Sequence, residues 1–296
     1  MASPSLIATL IANPARPALT EEALRCASSV LAGASVRLLA EGVAAEFDAG
    51  GDAAAVEARL REALGGLALD VAVLPAPARR KRLFLADMDS TMIDQECIDE
   101  LADFVGLKPQ VAAVTERAMR GEIAFEPALR ERVALLRGLP LDIVGKIIAE
   151  RITLTPGGRE LVRTMRRDGA YACLVSGGFT LFTGPVAAMI GFQENRANRL
   201  LTEGDALAGA VAEPILGKEA KRDTLRELRG KLALAPEDVL AVGDGANDLA
   251  MLGEAGLGVA YHAKPAVAAA ARVRIDHGDL TALLYLQGYR REEFAA

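Results

Sequence analysis

Two aspartates stand one residue apart directly after the apolar run Leu83 to Ala86, which is typical of a short buried strand. Asp87 and Asp89 would then emerge at the carboxyl end of that strand, where open α/β sheets bind ligands. Alternate residues of an extended chain point the same way, so these carboxylates would repel each other unless a divalent cation or a retained proton offsets the charge. One carboxylate could attack phosphorus while the other protonates the leaving oxygen. The pattern favours such chemistry over a plain acidic turn.

A second predicted strand, Tyr171 to Val175, ends in a serine and two glycines at the start of a helix. Glycine allows close approach of the backbone, and the first turn of a helix offers free N–H groups to an anion. The Ser176 hydroxyl and the Gly177 amide could therefore hold a phosphoryl oxygen. Farther along, either Lys218 or Lys221 could serve a buried anion, although a surface lysine is the commoner explanation for each.

Another predicted strand, Val239 to Val242, runs into the sequence Gly-Asp-Gly-Ala-Asn-Asp. Asp244 leaves this strand as Asp87 leaves the first, and the two could share a magnesium ion with a backbone carbonyl, substrate phosphate and waters. Asp248 would then orient Lys221 from behind the site. An acidic, glycine-rich run is also an ordinary turn signature, so the prediction depends on these strand ends occurring together.

The composition excludes several classes of protein. A chain of 296 residues with 51% apolar content can fill the cores of two domains. Its 34 basic and 40 acidic side chains give a formal charge of −6, so no sequence-independent attraction to nucleic acid or to an anionic membrane is expected. Three scattered cysteines and two histidines indicate neither a disulfide framework nor a zinc site, so any bound metal should have oxygen ligands. Without an apolar stretch of transmembrane length or a basic start, the sequence predicts a cytoplasmic protein.

The patterns of strands and helices divide the chain into three parts. Residues 1–79 follow the order βαββαβ, which is that of a ferredoxin-like α+β domain. Residues 80–93 and 153–296 alternate strands with helices, which predicts a doubly wound, Rossmann-like parallel sheet. Residues 94–152 form a predicted helical bundle inserted after the first strand of that sheet, well placed to act as a lid. The run from Pro75 to Arg82 looks like a linker that ends in a solvated basic junction.

Taken in order, these motifs resemble those of the haloacid dehalogenase (HAD) superfamily of phosphotransferases. Within it the similarity is to the phosphoserine phosphatases, extends through residues 87–96 and 129–133, and covers residues 80–285. The N-terminal unit resembles an ACT-like domain more loosely. The resemblance implies a HAD-like fold with a helical cap, a Mg²⁺ cofactor, and hydrolysis of L-phosphoserine to L-serine and phosphate. The reaction would pass through a phospho-aspartate and complete serine biosynthesis.

The resemblance also implies roles for residues of the sheet edge. Asp87 would be the nucleophile, and Asp89 the general acid and then the general base. Magnesium would lie on Asp87, the Asp89 carbonyl and Asp244. Ser176, Gly177 and Lys221 would bind the transferring phosphoryl group. Asn247 would contact the phosphate region, and Asp248 would support Lys221.

In the cap, Glu96 and Arg132 match positions that read the amino-acid part of the substrate. A carboxylate suits the substrate ammonium, and a planar guanidinium suits its carboxylate. Without the resemblance, a solvated helix face would explain both residues better. Met119 and Phe125 match apolar lid positions that could exclude water, and core packing explains them equally well.

Two other interpretations remain open from the sequence. The same fold could serve a phosphatase for a different phosphomonoester, or a phosphotransferase to a hydroxyl acceptor such as homoserine. The second interpretation is from another class of protein: a non-catalytic amino-acid sensor built on the N-terminal unit. The intact acidic motifs argue against it. The expected partner is a small molecule, with no nucleic acid and no membrane, and a homodimer through the N-terminal unit is possible.

Overall fold

The computed structural model of the chain describes residues 6–120, 122–217 and 219–295; Lys218 and the side chain of Met119 lie outside the described part. The N-terminal elements are β1 (Leu6–Ile11), α1 (Glu21–Val30), β2 (Val36–Ala40), β3 (Ala44–Ala49), α2 (Ala53–Ala63) and β4 (Asp70–Pro75). The strands form an antiparallel sheet in the order β2-β3-β1-β4, which is the ferredoxin-like arrangement. The helices begin where Thr20 and Asp52 accept hydrogen bonds from backbone N–H groups of the first turn.

Both faces of this small sheet are covered. One face packs on α1 and α2 around Leu10, Phe47 and Leu60. Apolar residues on the other face, such as Ile11 and Leu74, belong to the same buried cluster as the core of the second unit. The N-terminal sheet is therefore a packed layer of the whole molecule, because its second face would otherwise expose apolar side chains to water.

The second unit is built on a parallel sheet with an inserted group of helices. Its elements up to the third sheet strand are β5 (Leu83–Ala86), α3 (Cys97–Phe104), α4 (Lys108–Met119), α5 (Phe125–Ala134), α6 (Asp142–Glu150), α7 (Gly158–Arg167), β6 (Tyr171–Phe179), α8 (Thr180–Ile190) and β7 (Glu194–Asn198). The remaining elements are β8 (Leu200–Glu203), β9 (Ala206–Val211), α9 (Ala220–Lys231), β10 (Val239–Gly243), α10 (Leu249–Glu254), β11 (Leu257–Tyr261), α11 (Pro265–Ala270), β12 (Val273–Ile275) and α12 (Ala282–Leu286). The six parallel strands have the order β12-β11-β10-β5-β6-β7.

The sheet positions the predicted motifs side by side. β5 lies between β10 and β6 and pairs with both in parallel. The three carboxyl ends that carry the two aspartates, the serine and glycines, and the Gly-Asp run therefore meet at one edge. β5, β10 and residues 172–176 of β6 are buried, which explains why these strands begin as continuous apolar runs.

The sequence missed several short or polar elements. β6 continues to Phe179 instead of ending at Val175, so Ser176 and Gly177 lie within the last part of the strand. β7 has the sequence Glu-Asn-Arg-Ala-Asn, which carries no apolar signal because it is a half-exposed edge strand. The antiparallel hairpin of β8 and β9 was also not predicted.

The inserted helices α3 to α6 form the cap above the sheet edge, and residues 94–152 contain no strand among those described. The connection after α5 is hydrogen bonded to the hairpin: the Gly138 N–H donates to the Leu207 carbonyl at 2.8 Å, and the Leu207 N–H to the Leu139 carbonyl at 2.8 Å. Through these bonds the cap is also joined to the second unit at the connection between α5 and α6.

The prediction of a solvated basic junction holds for Arg80 and Arg82, which are exposed, but is wrong for Arg79 and Lys81. Arg79 pairs with the buried Glu46 of β3 at 2.6 Å and donates to the Leu286 carbonyl. Lys81 donates to the carbonyls of Ala78 and Glu237. These cations compensate a buried carboxylate and unpaired carbonyl groups between the two units, which explains why they are partly buried. Within the described residues, we find no helix long and apolar enough to cross a membrane.

Candidate active site

The predicted site residues converge on one cavity of about 190 Å³ at the carboxyl edge of the parallel sheet, beneath the cap. The predicted residues that line it are Asp87, Asp89, Glu96, Arg132, Ser176, Gly177, Asp244 and Asn247. The other two, Lys221 and Asp248, lie buried directly behind Asp87. All ten are thus brought together by the sheet and its insertion.

Lys221 links the first and last motifs. Its ammonium is 2.7 Å from an Asp87 carboxylate oxygen and 2.6 Å from an Asp248 carboxylate oxygen, and all three side chains are buried. Burial disfavours the charge of Lys221, but the charges of Asp87 and Asp248 outweigh it and raise its pKa. Lys221 therefore carries a positive charge directly behind Asp87.

The Asp248 carboxylate lies close to the backbone because Gly243 has no side chain. A Cβ at Gly243 would be 2.3 Å from the Asp248 carboxyl carbon. The same carboxylate accepts a hydrogen bond from the Gly245 N–H at 3.0 Å. The close approach of the Asp248 carboxylate thus explains why the run begins with glycine. Asp248 in turn holds both the turn and Lys221.

Asp89 has the properties of a proton donor. Its Oδ1 atom is buried and has no hydrogen-bond partner among the described residues. Burial, and next the nearby Glu96 carboxylate, raise the pKa of Asp89 to about 7. At neutral pH a large fraction of this carboxyl group is therefore protonated, which is the form required of a general acid.

The acidic residues suit a divalent cation with oxygen ligands. Carboxylate oxygens of Asp87, Asp244 and Asp248 all lie within 4.8 Å of one another, and the three residues are buried. Burial raises the pKa of Asp87 and of Asp244, as expected when the compensating charge is insufficient. Three carboxylates against the single ammonium of Lys221 leave two negative charges that a Mg²⁺ ion would neutralise. This cluster includes Asp248, which we had expected only behind the metal.

The end of β6 is held in shape by side chains. The Ser176 hydroxyl accepts a hydrogen bond from the Gly178 N–H at 2.8 Å. Asn198, which the sequence did not single out, donates to the Gly177 carbonyl at 2.9 Å and accepts from the Leu216 N–H at 2.7 Å. Its side chain ties this segment to the chain before α9, so the backbone that faces the cavity has one defined course.

The cap places one carboxylate and one guanidinium at the cavity. Glu96 precedes α3 and accepts a hydrogen bond from the Ser90 hydroxyl at 2.9 Å. Arg132 lies on α5, where it donates to the Ala128 carbonyl and to the Thr115 hydroxyl, and has no ion pair among the described residues. Phe125 also lines the cavity, with 40% of its surface exposed.

Lys264 is the charged lining residue that the sequence did not indicate. It follows β11 in the run Ala-Lys-Pro, and a lone lysine in a turn is ordinarily a surface residue. A signal was nonetheless present, because β11 neighbours β10 in a parallel sheet and its carboxyl end must open on the same edge.

Residues 84–253 match the family model of the haloacid dehalogenase-like hydrolases, and the chain belongs to that family. More particularly, it is similar to phosphoserine phosphatases. The phosphoserine phosphatase of Polaromonas sp. is 44% identical over 226 residues, which cover 75% of this chain and 96% of the relative.

Two solved structures extend the comparison. A probable phosphoserine phosphatase from Vibrio cholerae, in unliganded form, is 32% identical with a TM-score of 0.79, and the match covers 96% of this chain and 86% of that one. A phospho-aspartyl intermediate analogue of phosphoserine phosphatase is 38% identical with a TM-score of 0.64, covering 70% of this chain and 98% of that one. The first match includes the N-terminal unit. The second structure is of a shorter chain, so its match covers only part of this one.

Proposed function

We propose that this protein hydrolyses L-phosphoserine to L-serine and phosphate through a phosphorylated Asp87, with Mg²⁺ as its cofactor. The observation that carries the proposal is the pair Glu96 and Arg132 at the cavity that contains Asp87. Arg132 has no carboxylate partner among the described residues, so its charge is available to a ligand. The names of the relatives support the same substrate.

The phosphate, ammonium and carboxylate groups of the substrate would each have partners in the cavity. Its phosphate group would contact Lys221, the Ser176 hydroxyl and the Gly177 amide, with Asn247 at the side. Its ammonium would pair with Glu96 and its carboxylate with Arg132. In this arrangement the phosphorus would lie next to Asp87 and the leaving oxygen next to Asp89; both carboxylates line the cavity.

In the first step an Asp87 carboxylate oxygen attacks phosphorus, and the bond from phosphorus to the serine oxygen breaks. Asp89 gives its proton to that oxygen, so serine leaves as a neutral alcohol. Lys221 offsets charge on the phosphoryl oxygens and on Asp87 throughout. A Mg²⁺ ion on Asp87, Asp244 and the Asp89 carbonyl would supply further positive charge against the repulsion between carboxylate and phosphate.

In the second step Asp89, now a carboxylate, accepts a proton from a water molecule that attacks the phosphorus of the acyl phosphate. The bond between phosphorus and Asp87 breaks, which releases phosphate and restores both aspartates to their starting states. One carboxyl group thus serves as acid and then as base, which its pKa of about 7 allows.

A substrate panel tests the proposal. We expect Mg²⁺-dependent phosphate release with a clear preference for L-phosphoserine over O-phosphoethanolamine, which lacks the carboxylate, and over phosphothreonine, a sugar phosphate and p-nitrophenyl phosphate. A chelator should abolish activity. Equal rates for all esters would contradict the substrate assignment, and transfer of phosphate to added homoserine would indicate a phosphotransferase instead.

Arg132→Ala should lower kcat/KM for L-phosphoserine by an amount equivalent to about 2–5 kcal/mol, the scale for breaking a desolvated charge pair. The loss for O-phosphoethanolamine and p-nitrophenyl phosphate should be far smaller, since neither has a carboxylate. Arg130→Ala is the matched control, because Arg130 lies on the same helix but pairs with Glu126 and Glu213 on the outside. Equal losses for all three esters would show that Arg132 serves folding or lid closure.

A further inference from the structure

Lys264 belongs to the parallel-sheet unit, which forms the core side of the cavity, as opposed to the cap side. Its side chain is exposed and lines the cavity together with Glu96, Arg132 and Asp244. No hydrogen bond or ion pair of its ammonium is present among the described residues, whereas Lys221 behind Asp87 is paired twice. The ammonium of Lys264 is thus available to an anion that enters the cavity.

The backbone fixes where this lysine starts. The Lys264 N–H donates to the Asp244 carbonyl at 3.3 Å, and its own carbonyl accepts from the N–H groups of Val267 and Ala268 at the beginning of α11. The backbone of Lys264 therefore lies next to Asp244, at the end of the neighbouring strand.

His262, two residues before Lys264, stabilises this loop. His262 adopts a left-handed conformation with φ of 43°, which is uncommon for a residue other than glycine. Its N–H donates to the Ile275 carbonyl, and its ring nitrogen Nε2 is 2.8 Å from the Gly278 carbonyl. These bonds hold a strained turn in place, as is common where a loop must present a side chain to a site.

Charge and geometry indicate what the ammonium meets. Lys264 lies near enough to Glu96 and Asp244 for its charge to oppose the rise of their pKa values. Arg132 uses two of its three nitrogens, Nε and Nη1, for bonds within the cap. A substrate carboxylate at Arg132 would therefore retain lone pairs for a second cation, and Glu96 would hold the adjacent ammonium.

We propose that Lys264 is a specificity-determining residue whose ammonium binds the carboxylate of the substrate from the core side while Arg132 binds it from the cap. The inference rests on the proposed function, because it requires an amino-acid phosphate as ligand. It makes the recognition of the carboxylate depend on both sides of the cavity. The phosphoryl group lies deeper, at Lys221, and does not involve Lys264.

The test compares three esters with Lys264→Met and Lys264→Arg. We expect Lys264→Met to raise KM for L-phosphoserine roughly fivefold to tenfold, as for loss of a partly exposed charge contact, with kcat little changed. O-Phosphoethanolamine and p-nitrophenyl phosphate should change less than about twofold, since neither has a carboxylate. Lys264→Arg should restore most of the affinity. Lys231→Met, at an exposed lysine on α9 paired with Glu227, is the matched control and should leave every constant unchanged.

The other outcomes overturn the proposal in distinguishable ways. Equal losses for L-phosphoserine and O-phosphoethanolamine would show that Lys264 acts on Glu96 or the ammonium, and losses for all three esters would show a role in phosphoryl binding or folding. No change for any ester would remove Lys264 from the site. Absence of L-phosphoserine turnover by the unmodified protein, with turnover of another ester, would overturn the proposed function and this inference with it.

Discussion

Among single residues, Asp89 has the electrostatic surroundings that matter most for the proposed chemistry. Its pKa of about 7 comes first from burial and second from the Glu96 carboxylate, and both favour the neutral form. The proton is therefore largely present below pH 7 and is lost as the pH rises above it. Glu96 would thus have two effects, since it attracts the substrate ammonium and helps Asp89 keep its proton.

This dual effect can be measured in the metal-free protein by following the Asp89 carboxyl carbon by NMR, with Asp89→Asn to assign the signal. We expect a titration midpoint near pH 7 and a lower midpoint in Glu96→Gln, because the repelling charge is removed. Glu126→Gln, on the outer side of α5, should leave the midpoint unchanged. A midpoint near 4 in the unmodified protein would contradict the role of burial.

The convergence of these residues was predictable because parallel strands bring their carboxyl ends to one edge. Asp87, Ser176 and Asp244 each follow an apolar run, so their neighbourhood follows from the sheet alone. Asn198 was not predictable, because its amide acts on a backbone carbonyl 21 residues away through a polar edge strand. Lys264 was missed because a single exposed cation carries no periodic signal.

At the scale of secondary structure, the cap is more firmly joined to the second unit than an inserted bundle suggests. The hairpin of β8 and β9 meets the connection after α5 at a close contact between Gly209 and Arg137. Gly209 has φ of 71°, and a Cβ there would be 2.7 Å from the Arg137 Cβ. The sequence predicted a helical bundle over residues 94–152, but this hairpin depends on a contact between distant segments, which no local pattern encodes.

A pair of glycine substitutions tests this contact. Gly204 in the hairpin turn also has positive φ, at 58°, but no atom lies within 4 Å of its added Cβ. Gly204→Ala should therefore cost only the conformational term, about 1–2 kcal/mol. Gly209→Ala should lower the free energy of unfolding by a further ~1–3 kcal/mol because of the clash, measured by urea denaturation. Equal losses for the two variants would mean that the connection after α5 shifts to accommodate the added Cβ at no energetic cost.

At the scale of the whole molecule, the N-terminal unit is bound to the second unit by buried polar contacts as well as by an apolar face. Asp70, 2% exposed, accepts hydrogen bonds from the N–H groups of Asp276, His277 and Gly278. Gly278 in turn contacts His262 in the Lys264 loop. The βαββαβ order was predictable from the sequence, whereas docking was not, because Asp70 and Glu46 look like ordinary surface carboxylates until the partner surface is known.

Removal of the Asp70 contact should destabilise the protein. Asp70→Ala leaves three backbone N–H groups without their acceptor, so we expect a loss of about 3 kcal/mol in the free energy of unfolding. Asp52→Ala, which removes the exposed cap of α2, is the control in the same unit and should cost about 1 kcal/mol. A smaller effect for Asp70→Ala than for the control would show that the units do not depend on this contact.

From Leu6 onward, where the structure describes it, the N-terminal unit contributes none of the residues that line the cavity. A truncated protein starting at Ala78 should therefore retain Mg²⁺-dependent phosphatase activity but melt at a lower temperature, since the apolar surface around Leu286 and the Arg79 charge lose their cover. A soluble, folded truncation without activity would contradict this. The homodimer through the N-terminal unit stays a prediction, which size-exclusion profiles with and without L-serine would check.

The central claim is that L-phosphoserine transfers its phosphoryl group to Asp87. The most direct measurement is an acid quench during turnover of L-phosphoserine with Mg²⁺, followed by peptide mass spectrometry. We expect one added phosphoryl group on the peptide with Asp87, which disappears as substrate is exhausted and is absent in Asp87→Asn, a variant without turnover. Undiminished phosphate release by Asp87→Asn, or a phosphoryl group on another residue, would contradict the account.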